Sequence, residues 1–166
     1  MLVIGIDPGT ATTGYGLVRE NEDGSLNVED FGVIQTAPEL PMPQRLLQLH
    51  QELQKIILLH KPYGGAVEKL FFQRNVRTAL SVGQARGVAL LALAEARIAV
   101  AEYTPMEVKQ AIAGYGGADK NQVQQMVKAL LGLDEIPRPD DAADALAVAI
   151  CHVHSARMRS LHQEEK

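Results

Sequence analysis

Acids stand at three places where carboxylates are unexpected. Asp7 ends the apolar run Leu2–Ile6, Glu68 sits inside AVEKLF (66–71), and Asp141 and Asp144 lie three apart where a final apolar helical pattern begins. A charge at the tip of a buried strand must be paired, protonated or bound to a cation. If these four carboxylates meet they repel: two unit charges 4 Å apart cost about 4 kcal/mol at an effective dielectric of 20. Hard divalent cations relieve such crowding, because carboxylate oxygens suit magnesium and manganese. Two ions about 3.5–4 Å apart can clamp a phosphodiester, one activating a water and the other stabilising the leaving oxygen. Asp7 would then be the central metal ligand of a nuclease.

Each acid also has an ordinary role. Asp before Pro-Gly forms turns, Glu in a strand sits on a solvated face, and Asp at a helix start caps the helix and meets its dipole. Asp141 and Asp144 share a helix face, with Cβ atoms about 5–6 Å apart. Asp140 reads as the N-cap, yet Asp140 and Asp144 would also share a face, and spacing leaves both pairings open.

The elements that must position these acids follow from pattern. Residues 2–7, 14–20 and roughly 26–36 read as strands, the last two joined by the polar turn Glu22-Asp23-Gly24-Ser25. They form an expected antiparallel meander. Pro41 and Pro43 mark a break. QRLLQLHQELQKIILLH then carries a helical stripe (Leu46, Leu49, Leu53, Ile56, Ile57) that stops at Pro62. A strand over 66–71 precedes a long helix, NVRTALSVGQARGVALLALAEAR, with a small-residue ridge at Ala79, Gly83 and Gly87. Gly inside a helix costs about 1 kcal/mol against Ala, so the ridge implies close approach of another backbone, within the domain or between subunits. IAVAEYT (98–104) is a strand. Thr104-Pro105-Met106-Glu107 reads as a capping box with proline at the first turn, opening a helix over 105–113. Asp119 opens another helix that Gly132 ends, and the last helix runs from about Asp140 to Arg159, with a frayed tail at 159–166. The order βββ-α-β-α-β followed by helices predicts one α/β domain over 1–158, its sheet half antiparallel and half crossover-connected.

Composition sets bounds. The chain has 166 residues, 46% of them hydrophobic, enough for one ordinary core. No apolar run reads as a membrane span or a secretory signal, and the expectation is a cytoplasmic protein. The single cysteine, Cys151, lies in the apolar pattern ALAVAICHV and reads as a buried, inert thiol. The net charge is −4, which argues mildly against nucleic acid, but seven acids against one base fall within residues 1–40. The remainder carries fifteen bases against thirteen acids, and cations bound to the candidate ligands would leave that surface effectively basic.

Four ordered motifs carry a family likeness: GIDPGTATTGYG, AVEKLFFQRNVRTALSVGQARGVA, VKQAIAGYGGADKNQVQQMV and DAADALAVAICH. From residue 5 to about 152 the chain resembles the RuvC family of bacterial Holliday-junction resolvases. The resemblance implies a ribonuclease H-like α/β fold with a mixed five-stranded sheet flanked by helices. It implies a homodimer that binds a four-way DNA junction and nicks two strands of like polarity symmetrically, leaving ligatable ends. It also implies dependence on Mg2+, for which Mn2+ can substitute, with two ions per site, and contact with the branch-migration complex (RuvA and RuvB). The family's acidic ligands fall on Asp7, Glu68, Asp141 and Asp144, which settles the ambiguity over Asp140. Its base-engaging aromatic falls on Phe71, its basic positions on Lys109 and Lys120, and its dimer interface near the small-residue ridge. Where many relatives carry a polar residue after the proline before the second acidic strand, this chain has Tyr63-Gly64-Gly65, expected to loosen the strand's entry.

DNA contacts are expected from side chains around these motifs. Phe71 and Phe72 are adjacent, so alternation would bury one and expose the other, and an exposed ring stacks on an unpaired base with about 1–3 kcal/mol. Lys69, Arg74, Lys109 and Lys120 are candidates for phosphate contacts, which position DNA without reading sequence, whereas Arg77 and Lys128 suit a solvated face equally well. His152 follows Asp144 by two turns and would approach the site, although a packing histidine is the plainer reading. GIDPGT would equally suit an actin-like or sugar-kinase ATPase. Those need two lobes and a second phosphate loop, which this chain lacks. A silent junction-binding module would not need all four acids.

Overall fold

The structure is a computed structural model, described here for residues 1–69 and 76–164, and for 161–164 in backbone only. Three strands lead the chain: β1 (Leu2–Asp7), β2 (Thr12–Glu20) and β3 (Leu26–Gln35). Helix α1 (Met42–His60), strand β4 (Gly64–Glu68), helix α2 (Val76–Glu95) and strand β5 (Ala99–Tyr103) follow. Helices α3 (Pro105–Ala113), α4 (Lys120–Leu130) and α5 (Asp140–Glu164) complete it. The strands form one sheet in the order β3-β2-β1-β4-β5, with β3-β2-β1 antiparallel and β1, β4 and β5 parallel. This is the expected ribonuclease H-like arrangement, mixed because the hairpins pair neighbours directly while each later strand returns through a helix.

The sheet separates two apolar layers. One face packs Ile4, Ile6 and Leu17 against Leu49, Leu53 and Leu93 of α1 and α2. The other packs Val3, Val18 and Ala66 against the α3–α5 side, where Leu146 and Ile150 are fully buried. Burying a side chain of that size contributes roughly 1.5–3 kcal/mol. Strand alternation puts Val3, Gly5 and Asp7 on the α5 face. A Cβ on Gly5 would overlap the Ala145 carbonyl oxygen, and one on Gly14 would overlap that of Asp141. Glycine at these positions lets α5 lie against β1 and β2 with only backbone between them.

Several boundaries differ from expectation for local reasons. Helix α1 starts at Met42 and takes Pro43 into its first turn, where a missing N–H costs nothing. Strand β4 is Gly64–Glu68, not 66–71, and Gly64 and Gly65 pair in register with Val3 and Ile4. The two glycines do not loosen the strand. A Cβ on Gly65 would meet Leu93 at 3.0 Å and one on Gly64 would meet the His152 ring at 3.2 Å, so both admit neighbouring helices. Helix α5 continues to Glu164, through much of the stretch where a frayed tail was expected. The capping boxes at Thr104/Glu107 and Asp119/Gln122 are both formed.

Candidate active site

The acids gather at one end of the sheet. Strand β1 pairs with β4 so that Ile6 stands opposite Val67, and the next step of this register sets Asp7 beside Glu68. Gly64 and Ala66 face the α5 side, so Glu68, two positions further, faces it too. Helix α5 begins over this end, and the contact at Gly14 fixes Asp141 above the strand position paired with Asp7. Asp144 follows one turn later.

Electrostatics record the crowding. Burial, followed by the charges of Asp144, Glu68 and Asp141, pushes the Asp7 carboxyl up to about 8. Burial first, then Asp144, holds Glu68 above the ordinary carboxylate range. Asp144 is also raised by burial, against the lowering pull of Lys120. Burial works against the Lys120 ammonium, but Asp144 and Asp140 outweigh it and hold it above its usual value. Lys120 Nζ stands 3.3 Å from Oδ2 of Asp144 and 3.3 Å from Oδ2 of Asp140. A cationic group thus already rests on the acids. The donor set is wholly carboxylate, which suits a hard divalent cation. Among the described residues, no three His, Cys, Asp or Glu side chains already form a metal-ligand group.

A cleft of about 260 Å³ opens beside the acids, lined by Glu68, Asp144, Lys109 and Lys120 over an apolar floor that includes Val108 and Ala147. Lys109 lowers the Glu68 carboxyl through its charge, so this lysine faces the site from α3 as Lys120 does from α4. Lys69 is exposed at the end of β4, its N–H bonded to the Tyr103 carbonyl, and its charge acts on Glu107. Phe71, Phe72 and Arg74 lie outside the described residues.

His152 does not approach the acids. Its Nδ1 lies 2.9 Å from the Tyr103 hydroxyl and its other nitrogen faces Gly64, at the opposite end of β4 from Glu68. Burial, then Arg159, lowers its pKa. His50 pairs with Glu95, His60 with Asp30, and His154 with the Ala111 carbonyl. Cys151 is buried, its thiol pushed up to about 11 by burial, as the sequence predicted of an inert group. Asp140 is the first residue of α5 and not its N-cap: the Ala143 N–H bonds to the carbonyl of Pro139, one residue earlier. It accepts from Gln124, Arg138 and Lys120. Sequence reading missed Gln124 because its partner lies on another helix. The one local sign was a polar side chain beside Val123 on the buried face of α4.

Known proteins resemble this chain over nearly its whole length. The family model for crossover junction endodeoxyribonuclease RuvC matches residues 3–152. The chain is 57% identical to crossover junction endodeoxyribonuclease RuvC of Syntrophomonas wolfei, over 96% of this chain and 92% of that one. It is 61% identical to the same enzyme of Chloroflexus aurantiacus, with 94% of each covered. A solved structure of T. thermophilus RuvC in complex with Holliday junction substrate superposes with a TM-score of 0.87 at 39% identity, covering 95% of this chain and 96% of that one. With its sheet order, its gathered acids and a match over nearly its whole length, the chain belongs to the RuvC family of crossover junction endodeoxyribonucleases.

Proposed function

We propose that this endonuclease resolves four-way DNA junctions by nicking two strands of like polarity, using Asp7, Glu68, Asp141 and Asp144 to hold two magnesium ions, which manganese can replace. The observation that carries the reading is Asp7, an acid pushed up to about 8 by burial and by three acidic neighbours. A protein keeps such a group ionised only when cations offset it. When bound, the ions activate a water and stabilise the leaving oxygen. The four carboxylates, drawn together from β1, β4 and α5, would set the ions against the scissile phosphate. Lys109 and Lys120 would hold that phosphate from the cleft walls, with Lys69 and Arg74 as further phosphate contacts. One of the cleft lysines would also meet charge that develops in the transition state. Of the adjacent rings Phe71 and Phe72, the exposed one would engage bases at the crossover.

Paired nicking requires two sites, and this reading includes a homodimer of a single nuclease domain, working with the branch-migration proteins RuvA and RuvB in the cytoplasm. Among the described residues no helix is long and apolar enough to cross a membrane. A synthetic junction with magnesium, beside the Asp7→Asn variant, tests the proposal. Symmetric nicks from the unaltered protein and none from the variant are expected. Junction binding without metal-dependent nicking would reduce the protein to a binding module.

A further inference from the structure

Lys120 is shared between two carboxylates that lie one turn apart on α5, and the two are held differently. Oδ1 of Asp140 accepts from Gln124 Nε2 at 3.2 Å and from Arg138 at 3.1 Å. Gln124 sits one turn after Lys120 on α4 and is only 7% exposed, so packing aims its amide. That fixes the Asp140 carboxylate and turns Oδ2 toward Lys120. Asp144, by contrast, meets Lys120 through Oδ2 at the mouth of the acid-lined cleft.

We propose that Asp140 is a positioning residue for Lys120: it anchors the ammonium beside the cleft so that Asp144 can exchange Lys120 for a metal ion. A lysine has a long, flexible stem that loses rotamer freedom when it is fixed. With Asp144 as its sole partner, Lys120 would either compete with an incoming cation or swing into solvent once displaced. Tethered to Asp140, it releases Asp144 and stays within reach of a phosphate in the cleft. Gln124 and Arg138 keep the tether aimed. The argument rests on the reading of Asp144 as a metal ligand.

The test is manganese affinity without DNA, read by electron paramagnetic resonance across a double-mutant cycle of Asp140→Asn and Lys120→Gln. Groups in direct contact couple measurably, so Asp140→Asn should weaken manganese binding roughly five- to tenfold when Lys120 is present and less than about twofold when it is Gln. Asp140→Ser, run in parallel, keeps a residue suited to a helix start and should reproduce the pattern. Equal weakening in both backgrounds would show that Asp140 acts through its own charge or through α5, and would overturn the proposal. No manganese binding by the unaltered protein would defeat the metal reading itself, and this inference with it.

Discussion

Gly14 and Asp141 meet backbone to backbone: a Cβ on Gly14 would overlap the carbonyl oxygen of Asp141 and come within 3.0 Å of the next amide nitrogen. Gly14 is also the cross-strand partner of Asp7. With Gly5 on β1, Gly14 therefore sets the distance between the sheet end that carries the first acid and the helix that carries two others. Gly14→Ala should push α5 off the sheet. Overpacking of this kind costs about 1–3 kcal/mol or more, and misplacing reacting groups by about 1 Å costs roughly a hundredfold in rate. Thermal denaturation and single-turnover junction cleavage together check this. The expected loss of rate exceeds what the drop in Tm accounts for, and a variant of full activity would show that the helix seat does not set the site.

The Asp7 carboxyl gives the metal-free protein a pH-dependent stability. Its folded value is about 8, against 3.8 without the protein's influence. The folded state therefore holds a proton that the unfolded state has lost between those values. That contribution is fully present below about pH 4 and lost as pH rises through about 8. Glu68 and Asp144 are shifted in the same direction. In EDTA, Tm should fall between pH 5 and pH 9, and Asp7→Asn should flatten the fall, raising Tm at pH 8.5 by roughly 4–10 °C. Magnesium should shrink that advantage, because bound cations favour the ionised acids. Scanning calorimetry with and without magnesium checks both points. A flat profile for the unaltered chain would mean the carboxylates are not crowded.

These relationships were unequally legible in the sequence. Asp7 stood out because a charge closing the apolar run Leu2–Ile6 is anomalous within six residues of chain. The capping box at Thr104 is likewise local, and it is formed. Gly64-Gly65 was misread as a loose entry because the side chains that require glycine, Leu93 and His152, come from two distant helices. For His152, helical spacing left an approach to the acids open beside the plainer packing reading, and the Tyr103 hydroxyl that decides for packing comes from another strand. Asp140 read as a cap for the same reason: Lys120 and Gln124 reach it from α4. Period and turn chemistry are written within a few residues, whereas packing partners are fixed only when separate elements meet.

Lys109 faces Glu68 across the cleft and is placed to meet phosphate. Lys109→Gln should weaken junction binding about equally for different junction sequences. It should also make the slope of log affinity against log salt shallower by roughly one. Fluorescence anisotropy over a range of potassium chloride, in an Asp7→Asn background that prevents cutting, measures it. An unchanged slope would remove Lys109 from the phosphate contacts.

Helix α2 presents an apolar stripe that no other described residue covers. Val76, Leu80, Gly87 and Leu91 recur at helical spacing on one face, with Val76 85% and Leu80 65% exposed. A Cβ on Gly87 would meet nothing within 4 Å, so packing among the described residues does not require glycine there. An apolar face of this kind suits a second copy of the same helix in a twofold dimer. Leu80→Glu should convert the protein to a monomer in sedimentation velocity at micromolar concentration. Its folded stability should change by no more than about 0.5 kcal/mol, since the side chain is exposed in the isolated chain. Cleavage should shift from paired nicks to slow single nicks. Paired nicking by a monomeric variant, or a monomeric unaltered protein under the same conditions, would defeat the dimer.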